Sequence, residues 1–306
     1  MNGLVLNITN LCNFRCKTCL REYGRYNNLP FELLKKAIIQ GKELNLKGVG
    51  LTGGEPFMHP GFKEIVEFLV SENINFGIIT NGYNIKKYDF IFRNYKKNLS
   101  RVVISLDGAT KEVHDKIRQK GSFERAVNSA KKLINMNIRT EIQTCINKLN
   151  IDQTEDIVIL AESIGINTMS FLGIIRTDEN KNICLSRNER LKLVQRIKKI
   201  KSKRINVDIS QSIITNRDVN FCIHADYLLS LELNPKGEIV YCCDTVRDGA
   251  VIGSLKNENF ADLYKKALDW TAYLKKVRLN KIQNNQIDDD FDCCNFCSNV
   301  LRDRIK

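Results

Sequence analysis

Along its first two-thirds the chain passes six times from a short apolar run into an amphipathic segment, and this alternation narrows the fold more than any other feature. The apolar runs predict strands over residues 4–8, 48–52, 76–80, 102–106, 139–146 and 168–175. Helical spacing predicts helices over 31–44, 61–71, 85–95, 123–136, 155–164 and 189–201. Strands that each lead into a helix form a parallel sheet with right-handed crossovers. Curled, such a sheet is an α/β fold, a partial (β/α)6 TIM-like barrel, whose chemistry sits where strands run into the following loops. The alternation stops after Ile213. A β-hairpin over 228–242, turning at Asn234-Pro235-Lys236-Gly237, and a helix over 260–277 then predict a small cysteine-rich domain. The expected division is 1–212 and 213–306.

Eleven cysteines fall in a chain of 306 residues. The N-terminus shows no signal-peptide pattern, and no apolar run approaches the ~18 residues that span a membrane. A cytoplasmic location and no membrane partner are therefore expected, and reduced thiols there favour metal or radical chemistry over disulfides. The formal net charge of +13 admits an acidic partner such as nucleic acid or an acidic peptide, or lysines that only solvate helix faces. Lys198–Arg204, the densest basic run, reads as a solvated helix face; no appended RNA-binding motif supports nucleic acid.

Cys12, Cys16 and Cys19 stand at C-x3-C-x2-C spacing directly after the first apolar run. Three thiolates are one short of the usual set around a cubane iron–sulfur cluster. Thr52-Gly53-Gly54-Glu55-Pro56 closes the second strand, and the glycines free the backbone for close approach to a ligand. Asn81, Ser105, Asp107, Gln143 and Thr144 also lie at or near strand ends.

On CNFRCKTC and GGEP the chain resembles the radical S-adenosylmethionine (SAM) superfamily. The resemblance implies a [4Fe-4S] cluster on Cys12, Cys16 and Cys19, whose open iron chelates SAM, and one-electron cleavage of SAM to a radical that abstracts hydrogen. It implies SAM contacts at Gly53, Gly54 and Glu55, with the Glu55 carboxylate accepting from the SAM ammonium. Ser105 and Asp107 would reach ribose and carboxylate groups, Arg118 would pair with the SAM carboxylate, and Asn81, Gln143 and Thr144 would line the site. An ion pair of Arg118 with Asp115 or Glu112 is the alternative. Thr18 stands where the family often has an aromatic residue.

Cys222, Cys242, Cys294 and Cys297, with Gly237 five residues before Cys242, resemble the Twitch form of the SPASM extension. That implies one auxiliary [4Fe-4S] cluster; four thiolates also suit zinc. Cys243 and Cys293 are left beside these ligands. Cys243 resembles the hydrogen-donor cysteine of peptide epimerases in the superfamily, with Cys293 a second candidate and a core or supporting role the alternative. Cys145 and Cys184 read as structural.

The expected function is hydrogen abstraction from a ribosomally made peptide, giving epimerisation or a crosslink. An electron donor such as flavodoxin or ferredoxin would be a partner. Oxidation of a small molecule such as an amino sugar is the second enzymatic reading, and an iron–sulfur scaffold or electron carrier the non-catalytic one.

Overall fold

A computed structural model describes residues 1, 3–20, 27–200, 202, 204–210, 212–213, 227–242, 250–284, 286, 296–297 and 299–301. The parallel α/β sheet is present and wider than its six expected strands. It runs β1 (Leu4–Thr9), α1 (Phe31–Glu43), β2 (Gly48–Gly53), α2 (Phe62–Ser71), β3 (Asn75–Thr80), α3 (Asp89–Asn94) and β4 (Leu99–Ser105). It continues through α4 (Lys111–Ile117), α5 (Ser122–Asn135), β5 (Thr140–Ile146), α6 (Thr154–Ile164), β6 (Thr168–Gly173), α7 (Arg187–Lys199) and β7 (Asn206–Ile209). The C-terminal part adds β8 (Leu231–Leu233), β9 (Glu238–Val240), β10 (Val251–Ser254) and α8 (Phe260–Gln283).

The strands form one ten-stranded sheet in the order β10-β9-β8-β1-β2-β3-β4-β5-β6-β7. β1 to β7 are parallel, and β8 pairs parallel with β1 through Leu4↔Leu231 and Leu6↔Leu233. β9 and β10 return antiparallel. The expected boundary at 212/213 falls between β7 and β8, and the sheet runs across it. Lys36 Nζ on α1 donates to the carbonyls of Leu255 and Glu258 at 2.6 and 2.9 Å, and the Phe260 amide donates to Gln40 at 2.7 Å. These bonds tie the C-terminal strands to the first helix.

Period-two alternation assigns the two faces of the sheet. Leu4, Leu6, Ile8, Leu51, Phe76, Ile78, Ile104, Ile142, Met169 and Phe171 are buried. They meet Leu34, Ile38, Ile65, Leu69, Ala126, Ala130 and Leu133, which recur at helical spacing on α1, α2 and α5. The other face is polar towards β7: Ser105, Gln143, Ser170 and Asp208 stand in register on β4 to β7. Helix ends follow ordinary capping chemistry, with a capping box of Ser186 and Glu189 on α7 and Asn259 capping α8. Lys198 and Lys199 are exposed, as a solvated helix face requires. No helix among the described residues is long and apolar enough to cross a membrane.

Candidate active site

The cysteine loop leaves the C-terminal end of β1, and backbone hydrogen bonds hold its start against the end of β2. The Gly54 amide donates to Thr9 O at 2.6 Å, and the Glu55 amide to Leu11 O at 2.8 Å. These approaches explain both glycines. A Cβ on Gly54 would lie 2.1 Å from Leu11 O; one on Gly53, at φ +144°, would lie 2.2 Å from Thr9 O. Gly54→Ala is therefore expected to push the loop off β2, costing about 2–4 kcal/mol and lowering iron incorporation. Urea unfolding and iron assay check both, and a fully loaded, stable variant would contradict the tight contact.

Cys12, Cys16 and Cys19 are half-buried. The Phe14 amide donates to Cys12 Sγ at 3.4 Å, the Cys19 amide turns back to Cys16 O at 3.2 Å, and the Lys17 amide reaches Ile117 O at 2.9 Å. Burial pushes the Cys16 thiol up to about 11, with Arg118 pulling the other way. Among the described residues no His, Cys, Asp and Glu side chains gather around a single ion. Three soft thiols on one loop suit the wider span of a [4Fe-4S] cube with one iron left to another ligand.

Asn81, at the end of β3, overlooks this loop. Its amide nitrogen donates to Asn13 Oδ1 at 2.9 Å and approaches Cys12 Sγ at 4.0 Å. Asn13 had no sequence signal beyond lying between two cysteines.

Glu55 points inward and is 1% exposed. Its Oε1 accepts from Thr80 Oγ1 at 2.7 Å and the Phe57 amide at 3.4 Å; its Oε2 accepts from the Asn81 amide at 2.8 Å. The side chain thus locks the ends of β2 and β3 together. Burial pushes its carboxyl up to about 7 against the pull of those hydrogen bonds. The folded state then holds this proton between the usual 4.5 and about 7, so this contribution to stability falls as pH rises through that window. Glu55→Gln removes that dependence but turns an amide group toward donors, costing about 1–3 kcal/mol at pH 5. The stability gap between variant and wild type should narrow from pH 5 to pH 8; a gap that stays constant in thermal melts would contradict the raised carboxyl.

Asp107 and Arg118 meet one another. Arg118 Nε donates to Asp107 Oδ2 at 2.6 Å, and Asp107 Oδ1 accepts the Cys145 amide at 2.8 Å. Burial would lower the Arg118 pKa, but Asp107 and the nearby thiols hold it raised. His114 is kept neutral, its pKa lowered to about 4 by burial and by Arg118, and its Nδ1 accepts the Asp107 amide at 3.1 Å. Asn150 Nδ2 donates to the carbonyls of Asp107 and Cys145, at 3.0 Å each. Asp115, the alternative partner for Arg118, instead accepts the Gly121 and Phe123 amides at 2.6 and 2.9 Å at the start of α5.

Ser105 and Gln143 are half-buried neighbours on the polar face. Thr144 is turned to the other side, fully buried, with its hydroxyl donating to Leu106 O at 2.7 Å. Cys145 shares the Gln143 face; its thiol is pushed up to about 12, by burial first and by Asp107 next.

Of the C-terminal cysteines, Cys242 is half-buried and Cys297 is buried. Just after β9 and before Cys242, Tyr241 packs on Trp270 and shares a 2.9 Å hydrogen bond with Thr271 of α8. Cys222, Cys243, Cys293 and Cys294 lie outside the described residues.

The family model described as the Radical SAM superfamily matches residues 6–161. The sporulation killing factor maturation protein SkfB of Bacillus subtilis (strain 168) is 35% identical over 165 residues, 52% of this chain and 39% of that protein. The chain thus spans about two-fifths of SkfB. A GTP 3′,8-cyclase of Nautilia profundicola is 24% identical over 310 aligned residues, 93% of this chain and 92% of its own. Among solved structures, Streptococcus suis SuiB bound to its precursor peptide SuiA superposes with a TM-score of 0.73 at 17% identity, over 86% of this chain and 64% of SuiB. That likeness is one of fold.

Proposed function

Because this chain belongs to the radical SAM superfamily, we propose that it cleaves SAM reductively and abstracts hydrogen from a carbon of a ribosomally made peptide. The observation that carries the reading is the three-thiol loop clamped by Gly53 and Gly54 at the C-terminal edge of a parallel sheet. When bound, the cluster and SAM supply a 5′-deoxyadenosyl radical able to break an unactivated C–H bond.

Cys12, Cys16 and Cys19 hold the cluster. Backbone groups at Gly53–Glu55 meet the SAM ammonium, with the Glu55 side chain fixing their position from behind. Arg118 spends only Nε on Asp107, which leaves its terminal nitrogens for the SAM carboxylate. Asn81 borders the loop, and Ser105 and Gln143 offer polar contacts to the adenosyl group. Cys222, Cys242, Cys294 and Cys297 hold an auxiliary [4Fe-4S] cluster in a region from about residue 213 onward. Cys243 returns hydrogen to the peptide radical from the face opposite abstraction, giving epimerisation; Cys293 is the second candidate donor. The names of SkfB, a maturation protein, and of SuiB with its precursor peptide support a peptide substrate.

The second reading is a small-molecule substrate, supported by the GTP 3′,8-cyclase match along nearly the whole chain. The deciding experiment supplies the anaerobically reconstituted enzyme with SAM, dithionite and either a candidate precursor peptide in heavy water or GTP. The leading reading expects 5′-deoxyadenosine and a one-deuteron mass gain per epimerised residue. It also expects Cys243→Ala to lose the deuteron and keep 5′-deoxyadenosine. A GTP-derived product with no change in peptide selects the second reading, and no 5′-deoxyadenosine removes both.

A further inference from the structure

We propose that an exposed cationic collar around the cysteine loop docks an acidic one-electron carrier protein. The inference rests on the reductive reading above and adds where its electron enters. The Lys17 amide bond to Ile117 O, at 2.9 Å, brings the loop to the end of α4. That bond puts the Lys17 backbone beside the chain segment that carries Lys116 and Lys120, and all three lysines are exposed. Phe14, between the first two cysteines, stands perpendicular to Tyr83 with the ring centroids 5.9 Å apart. Tyr83 is 41% exposed, and the Arg125 guanidinium lies 4.0 Å from its ring centroid.

Of the acidic groups nearest in sequence, Glu112 is exposed one turn before Lys116 and offsets part of its charge, and two others are engaged elsewhere. Asp115 caps α5, and Glu124 pairs with Lys111 at 2.8 Å. Lys17, Lys116, Lys120 and Arg125 form no ion pair among the described residues. A surplus of cations on one surface creates a field that steers an anionic partner. Their position around the thiols that would hold the cluster selects a partner delivering an electron there. The Phe14–Tyr83 contact brings the loop within one aromatic pair of the surface. In the coupled step the reduced carrier loses one electron, and SAM gains it and breaks into methionine and the 5′-deoxyadenosyl radical.

The test compares two reductants on the reconstituted holoenzyme: reduced flavodoxin, an acidic carrier, and dithionite. In the Lys116→Glu/Lys120→Glu/Arg125→Glu variant, flavodoxin-driven 5′-deoxyadenosine formation should fall by about tenfold or more. The dithionite-driven rate should stay within about twofold. Oxidised flavodoxin should bind the variant at least about tenfold more weakly, and its binding to the wild type should weaken as salt rises. If the triple variant does not fold, Arg125→Ala and Lys120→Ala carry the same comparison singly. Equal loss with both reductants, or unchanged flavodoxin binding and rate, overturns the collar. Failure of the wild type to cleave SAM with dithionite overturns the radical reading instead.

Discussion

Alanine at Cys12, Cys16 or Cys19 is expected to reduce 5′-deoxyadenosine formation to the level of a no-enzyme control, a loss of at least about 10³. The chain has no other described group that could take over. The side chains bordering the loop are the Asn81 amide and the Asp107–Arg118 pair, whose carboxylate is already taken by Arg118 and the Cys145 amide; Cys145 itself is fixed on β5. The three thiols are half-buried on a loop, outside the apolar layer between sheet and helices. Their loss should therefore change apo-protein stability by only about 1 kcal/mol. This separation makes the test informative: iron content should drop by one cluster while the melting curve of the apo chain holds. A variant that keeps both its iron and its SAM cleavage would mean that the cluster is held elsewhere.

This loop is legible in the sequence because its spacing is local. So are β1 to β6, whose apolar runs are each followed by an amphipathic helix. Features that depend on distant partners are not legible. β7 is four residues of alternating character, Asn206–Ile209, following a basic run, and its local pattern does not distinguish it from a loop. β8 is recognisable as a hairpin strand, but nothing in Leu231–Leu233 says that it pairs with β1, more than two hundred residues earlier. The resemblance on GGEP makes Glu55 a ligand for the SAM ammonium. Its partners, Thr80 and the Asn81 amide, lie one βα unit away and turn the carboxylate inward. Thr144, expected to line the site, has its hydroxyl on the opposite side from Gln143 by strand alternation. His114 and Asn150 carried no signal, since each acts by hydrogen-bonding the Asp107 main chain.

Asp107→Ala is expected to cost about 3–5 kcal/mol, the range for breaking a buried ion pair by removing one partner. Asp107 is fully buried, and the Arg118 side chain is 11% exposed. Without the carboxylate the guanidinium keeps its charge and loses its counterion, and the Cys145 amide loses its acceptor. Asp107→Leu with Arg118→Met should recover much of that stability, because an apolar pair of similar shape leaves no stranded charge. The same double variant should bind SAM poorly, since the terminal nitrogens proposed to grip its carboxylate are gone. Arg118→Lys separates the two roles further. It keeps a charge beside Asp107, and so most of the stability, but lacks the planar fork, so its KM for SAM should rise by about tenfold. Urea unfolding of the apo chain together with SAM titration of the reconstituted enzyme reads both effects. A single Asp107→Ala variant that loses under about 1 kcal/mol would show that Arg118 finds another partner. An Arg118→Lys variant with unchanged KM would confine the pair to holding α4 on the strand ends.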